Sequence, residues 1–410
     1  MGNTTSAGRF AQTVPDAGFS FDQVIAPVTR SEFFAKHYER EELIVQRGDP
    51  AHYASLLSLD KIDEYITTSN PNSSQVMMVN ALADIKASDY SDSNGMIDVA
   101  RLYQLFDEGA TITIPGLQRK IPELAALCRA VEAEFDARFQ ANIYLSPPNA
   151  QGFKTHYDTH DVLVLQVAGS KQWRSYDVPV ELPLLGQKFS SDKYTTIPPV
   201  HEFRLNAGDL YYCPRGLVHD ASSTDDISLH ITFGVMAQTW TELMVEAVTA
   251  ACVSNPAFRA NLPVGFASNP DFDRGPAREK FQSLLTSFVQ SADIDVLLDQ
   301  MGEAFVAERK PLLRGQMHQM RSVEQIDGQS RIMARPDLIY TVAMLDGSVE
   351  VRSGSTVLTL PAHVTPILTE ILATNAPTIL SAFSGNLDSD GRVVLAKRLL
   401  REGLISVSHG

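Results

Sequence analysis

The period of the apolar positions changes along the chain, and each change predicts a different architecture. From Ser31, "SEFFAKHYEREELIVQRG" sets a Ser N-cap and apolar residues at helical spacing before a short β-branched run closed by Gly48. Helices are predicted for "SLDKIDEYIT" (58–67), "IDVARLYQLFDEG" (97–109) and "IPELAALCRAVEAEF" (121–135), the last with Pro122 in its first turn. The alternation of "ATITI" (110–114) predicts a strand between them. Strands then dominate. "ANIYLSPP", "DVLVLQVAG", "KQWRSYDV", "HEFRLNAGDLYYCP" and "ISLHITFGVM" are short, rich in β-branched and aromatic residues, and divided by Gly, Pro, Asn, Asp and Ser, which indicates a sandwich or barrel.

After "QTW" (238–240) the period is helical again, in "TELMVEAVTAAC", "AREKFQSLLTSFVQ" and "DIDVLLDQMGEAFVAERK". From Arg331 the chain returns to short strands ("LIYTVAML", "SVEVRSG", "TVLTLPA"), then a helix "RVVLAKRLLREG" closed by Gly403, and a last strand "LISVS". The fold class is therefore α+β, with expected divisions at 1–238, 239–325 and 326–410. The last of these is expected to be winged-helix-like.

Charge narrows the range of partners. The formal net charge of −15 disfavours nonspecific nucleic-acid binding, whose affinity comes from neutralised phosphates, and favours a cationic partner. Residues 321–410 carry eight Lys and Arg against nine Asp and Glu, so the terminal segment offers no basic face for a nucleic acid. No run is long and apolar enough for a membrane helix, the first 20 residues look like a polar tail, and a cytoplasmic location is expected. Cys128, Cys213 and Cys252, odd in number and widely spaced, support neither a disulfide framework nor a cysteine zinc site.

The stretch "THYDTHD" (155–161) is the densest concentration of metal-ligand side chains in the chain. In extended backbone, residues i and i+2 face the same side, so His156 and Asp158 can share a cavity while Tyr157 turns away. A third ligand has to come from a distant strand. "GDLYYCPRGLVHDA" offers His219, placed by Pro214 and Gly216 where one strand would end and the next begin. Two His and one carboxylate suit Fe(II) with open coordination positions, and zinc with a water is the chemical alternative. His160 and Asp161 would extend the array linearly and are expected at the strand entry instead; His230, in "SLHITF", is expected to pack in the core. From its position after Gly169 and Ser170, Lys171 reads as an exposed turn residue.

The segments "ANIYLSPPNAQGFKTHYDTHDVLVLQVAGSKQWRSYD", "GDLYYCPRGLVHDA" and "SLHITFGV", with the cupin spacing G-x5-P-x-G-x2-H, resemble the JmjC-type ribosomal oxygenases, also described as cupin-4 proteins. The resemblance is close over residues 140–235 and weaker but collinear elsewhere. It implies a double-stranded β-helix (jelly-roll, cupin) catalytic domain, a helical dimerisation region forming a homodimer, and a C-terminal winged helix. It further implies an Fe(II) and 2-oxoglutarate dependent dioxygenase that hydroxylates a His or Arg side chain of a protein, with a basic ribosomal protein as the expected partner. By the same resemblance, His156, Asp158 and His219 are the metal and catalytic triad, Lys171 binds the far carboxylate of 2-oxoglutarate, and Asn142 and Tyr144 hydrogen-bond that co-substrate. Gly234 stands where a serine is usual, which leaves the target side chain open. A hydroxylase of a small molecule or natural-product peptide and a nucleic-acid-binding protein with a degenerate barrel are the competing readings.

Overall fold

The computed structural model describes residues 19–408 except Thr196, so nearly all of the expected polar tail lies outside the described residues. The chain divides into two compact units at Ala237 and Gln238.

The first unit is built on two antiparallel sheets. Its strands are β1 (Leu43–Val45), β2 (Met77–Val79), β3 (Thr111–Ile114), β4 (Arg138–Ser146), β5 (Asp161–Ala168), β6 (Ser170–Ser175), β7 (His201–Asn206), β8 (Leu210–Cys213), β9 (His219–Ser223) and β10 (Ser228–Met236). The major sheet has seven strands in the order β1-β8-β5-β10-β4-β3-β2, and the minor sheet has three, β7-β6-β9.

The central strands are apolar on both faces because both faces are covered. On β5, Leu163, Leu165 and Val167 join a core shared with the helices Leu59–Thr68 and Pro122–Phe135. The alternate residues Val162 and Val164 face the other way and pack with Trp173, Leu205 and Tyr211. β10 divides in the same manner: Ile231 and Phe233 belong to the helix-side core, whereas His230 and Thr232 line a cavity. One sheet face is thus spent on holding the helices and the other on a site. The helices start where the chemistry of their first turns dictates. Ser58 accepts from Lys61 N, Asp98 accepts from Arg101 N, and Pro122 occupies the first turn of its helix.

The step from the major to the minor sheet falls on one residue. Gly169, between β5 and β6, has φ +60°, and a Cβ there would lie 1.9 Å from the Ile227 carbonyl oxygen. Only glycine combines that backbone with that approach, and the turn delivers Lys171 to the inside of β6.

The second unit begins with helices Trp240–Ser254, Gly275–Ser291 and Ile294–Glu308, the first closed by a reciprocal capping box between Thr239 and Glu242. Two three-stranded antiparallel sheets follow: β12 (Thr341–Leu345), β13 (Ser348–Ser353) and β14 (Thr356–Pro361) in one, and β11 (Arg331–Ala334) between β15 (Thr378–Ile379) and β16 (Ile405–Ser408) in the other. Helices Thr365–Ala373 and Ser389–Arg401 share a core with them through Ile367, Leu368, Ile371, Leu395 and Leu399. The strand expected from Leu338 starts only at Thr341. Asp337 has φ +61°, and Leu338 and Tyr340 are spent on the core instead of on strand pairing.

Gly169→Ala is expected to destabilise the protein by about 2–3 kcal/mol, because a new methyl group meets backbone that cannot yield. A loss of stability below about 0.5 kcal/mol in guanidinium unfolding would contradict the tight turn between the sheets.

Candidate metal centre and cavity

His156 lies in the loop between β4 and β5, and His219 opens β9. The two residues pair across an isolated antiparallel bridge: His156 N donates to His219 O at 3.0 Å, and His219 N donates to His156 O at 2.8 Å. Their rings consequently meet, with centroids 4.7 Å apart. Each ring is also oriented from behind. His156 Nδ1 lies 2.7 Å from Lys154 O, and His219 Nδ1 lies 3.0 Å from Leu217 O. Both Nδ1 atoms are therefore donors when the rings are neutral, which leaves the Nε2 lone pairs directed forward.

Asp158 completes the group. Its Oδ1 is 3.9 Å from His156 Nε2 and its Oδ2 is 3.8 Å from His219 Nε2. One ligand atom from each of the three residues lies within 4.8 Å of the others, a spacing suited to one ion. Gly216 N donates to Asp158 O at 3.0 Å, tying the ligand loop to the turn before β9. Tyr157, between the two ligands, faces away, packs with Tyr176 and Val218, and donates its hydroxyl to Gln187 O. Burial and the neighbouring His156 ring both push His219 below the usual imidazole pKa, which favours the neutral, ligating form.

The triad opens on a cavity of about 260 Å³ enclosed by both sheets, with Tyr144, Lys171, Trp173, His230 and Thr232 in its wall. Lys171 is 5% exposed, so the exposed turn residue expected from position alone is corrected: the β5–β6 turn swings it inward. Burial drives its pKa down to about 7, and no nearby acid offsets the loss of water. Tyr144 stacks on His230 with centroids 4.8 Å apart and planes 10° from parallel. His230 is buried as expected, yet it lines the cavity and is not core filling, because it shares the inward register of Thr232. Its Nδ1 and the indole Nε1 of Trp173 are buried without a hydrogen-bond partner. A buried lysine with no acid beside it, in the wall of a cavity that also holds the triad, suits an anionic occupant.

The remaining expected residues separate. Asn142 is not among the cavity-lining residues: its Oδ1 accepts from Gly116 N at 3.2 Å and Gln140 Nε2 at 2.8 Å. Asp161 is fully buried at the start of β5, where it accepts from Tyr212 Oη and Arg215 N. His160 is outside the triad and rests against Gly234. Sequence reasoning passed over Asp220, which accepts from Thr155 Oγ1 (2.8 Å), Arg174 Nε (2.7 Å) and Tyr176 Oη (2.7 Å) and so braces the residues next to both histidines. Nothing in "VHDA" marks it, since its partners come from two other segments. Trp173 could have been found: it lies two residues after Lys171 on the same strand, and so on the same face.

Residues 116–243 match the family model described as the JmjC domain. The chain is 30% identical to ribosomal oxygenase 1 of Gallus gallus over 333 residues, covering 77% of this chain and 55% of that protein. It is also 30% identical over 311 residues to the bifunctional lysine-specific demethylase and histidyl-hydroxylase NO66 of Culex quinquefasciatus, covering 72% and 48%. The chain thus spans about half the length of the curated relatives it matches. Among solved structures, Escherichia coli ycfD superposes with a TM-score of 0.54 at 14% identity, covering 93% of this chain and 98% of that one. Another structure of that protein, a ribosomal oxygenase in complex with cobalt and 2-oxoglutarate, superposes with a TM-score of 0.52. At that identity the likeness concerns the fold alone. Taken with the matched domain and the relatives, it means that this chain belongs to the JmjC-type ribosomal oxygenase family.

Proposed function

We propose that the protein is an Fe(II) and 2-oxoglutarate dependent oxygenase that hydroxylates a His or Arg side chain of a protein, with a basic ribosomal protein segment as substrate. The observation that carries this reading is the pairing of a His156–Asp158–His219 group with a buried, uncompensated Lys171 in one cavity. Two imidazoles and a carboxylate suit Fe(II) and leave positions free for a chelating co-substrate. The fit to a dicarboxylate comes from the other end, where Lys171 offers a compact cation in the cavity wall. When bound, iron with 2-oxoglutarate supplies the oxygen chemistry, one oxygen atom entering the substrate C–H bond and the other ending in succinate.

The protein contributes placement. Lys171 holds the far carboxylate by charge, while the indole of Trp173 and the Tyr144–His230 stack shape the walls and exclude water. His156 and His219 are held with Nε2 forward by the Lys154 and Leu217 carbonyls, so that little reorganisation is needed on loading. The net charge of −15 favours approach by a cationic segment.

The same reading divides the chain into a catalytic region (1–238), a helical dimerisation region (239–325) and a winged-helix-like region (326–410). Homodimerisation is supported by apolar side chains left open on the helical region: Trp240 is 75% exposed, Val245 62%, Phe281 61% and Val289 74%. Such a concentration of apolar surface is typical of an interaction site.

Four outcomes are expected. Conversion of 2-oxoglutarate to succinate should rise on adding acid-extracted ribosomal protein, accompanied by a +16 Da side-chain product in mass spectra; Asp158→Ala or removal of iron with a chelator should abolish both. No stimulation by any ribosomal fraction would remove the protein-hydroxylase reading. Lys171→Met should raise the KM for 2-oxoglutarate roughly tenfold to a hundredfold, the worth of a charge-assisted hydrogen bond. Because the Lys171 pKa is lowered to about 7, the amine is neutral at higher pH before 2-oxoglutarate binds, and binding the dianion must recapture a proton. Affinity for 2-oxoglutarate should therefore fall as pH rises from 7 upwards in the wild type and lose that slope in Lys171→Met, as read by calorimetric titration in buffers of differing ionisation heat. Finally, Val245→Glu with Val289→Glu should convert a dimer into a monomer in analytical ultracentrifugation, and a wild type that sediments as a monomer would contradict the dimerisation region.

A further inference from the structure

Gly234 has no backbone reason to be glycine. It lies within β10, paired to Gln140 of β4 on one side and to Val162 of β5 on the other, and it does not adopt the left-handed conformation that glycine serves. What its missing side chain leaves is space, and that space is taken. A Cβ at position 234 would stand 2.8 Å from His160 Nε2 and 2.9 Å from Cδ2, closer than real Cβ contacts allow, and its three nearest atoms all belong to that ring.

The strand register says which face this is. Residues 230, 232 and 234 alternate to one side of β10, and His230 and Thr232 line the cavity. On β5, Val162 and Val164 line it too, and His160 precedes them by two residues. Both rows lead to the same point, Gly234 one step past Thr232 and His160 one step past Val162. By register that face of β10 is layered, His230 beside Tyr144, Thr232 beside Val164, and Gly234 beside Val162 and Gln140 with the His160 ring over it; Gly234, Gln140 and His160 lie beyond the residues that line the cavity itself. His160 is half-buried.

We infer that His160 is a specificity-determining residue of the proposed hydroxylase, occupying the place of a residue-234 side chain at the cavity rim and hydrogen-bonding the main chain of the peptide whose side chain enters. The inference rests on the functional reading above and names what part of the substrate this rim receives. A peptide segment drawn over the rim brings backbone donors and acceptors that need partners once water is displaced. An imidazole here adds ring hydrogen-bonding nitrogen to a stretch where Thr232 supplies the one hydroxyl between Val162 and Val164.

The steric and the recognition halves are tested separately. In thermal unfolding of the full chain without substrate, Gly234→Ala should lower the Tm by about 4 °C or more in the wild-type background, and by much less when His160→Ala has emptied the space. Equal losses in both backgrounds overturn the pairing. With acid-extracted ribosomal protein as the substrate probe, His160→Ala and His160→Phe should each raise the apparent KM about tenfold, the worth of one or two hydrogen bonds, with kcat within about twofold. His160→Gln, which keeps a donor and an acceptor, should recover most of the loss. Unchanged KM in both His160→Ala and His160→Phe, beside an active wild type, sinks the recognition role alone. Loss of cobalt binding in His160→Ala as severe as in Asp158→Ala would make His160 a ligand and also overturn it. A wild type that turns over nothing in the extract instead removes the hydroxylase reading, and the recognition role with it, whatever the thermal cycle shows.

Discussion

The His156–His219 bridge is the constraint on which the site depends. Each residue donates its backbone N–H to the other's carbonyl, so two side chains 63 positions apart in the chain are set opposite each other with no freedom of register. A slip of one residue would turn either ring to the far side of its strand. Asp158 then needs only the extended backbone two residues on from His156 to face the same space, and the Gly216 N–H holds its carbonyl there. The carbonyls of Lys154 and Leu217 settle which ring nitrogen is left free. A three-residue group thus becomes rigid through main-chain bonds, with no demand on side-chain packing alone.

The base of the cavity follows the opposite logic. Burying an ammonium without an acid beside it is unfavourable, and so is burying the His230 and Trp173 nitrogens without partners. The surrounding sheets sustain this because their helix-side faces carry a large apolar core, to which β5 and β10 both contribute. Stability is supplied on one face of the same strands whose other face is left electrostatically unsatisfied. Such an imbalance is what a site awaiting an anion requires.

The elements were legible where a single local signal decided them. The helix predicted over 121–135 is Pro122–Phe135, and the strand in "ATITI" is Thr111–Ile114. The strands of the barrel region were marked by their β-branched runs and turn residues. The clustering of His156, Asp158 and His219 was anticipated because i, i+2 alternation and the Pro214–Gly216 turn are both local features. By position alone "AGSK" reads as a surface turn, yet Lys171 is buried, because a crossing between two sheets at Gly169 is invisible without the second sheet. His230 was assigned to the core for the same reason: alternation tells that a residue is buried, not whether a cavity lies on that side.

Most helices and strands and their α+β order could be read from short-range periodicity, and His156, Asp158 and His219 could be named as candidate ligands from alternation and the cupin spacing. Tertiary structure alone decided which buried polar groups share one space. Asn142, on the same face of β4 as Tyr144, turned out to be engaged with Gly116 and Gln140, while His160 proved to fill the gap left by Gly234. The His160–Gly234 relation depends on cross-strand register between segments about 75 residues apart, and no pattern within one segment encodes it.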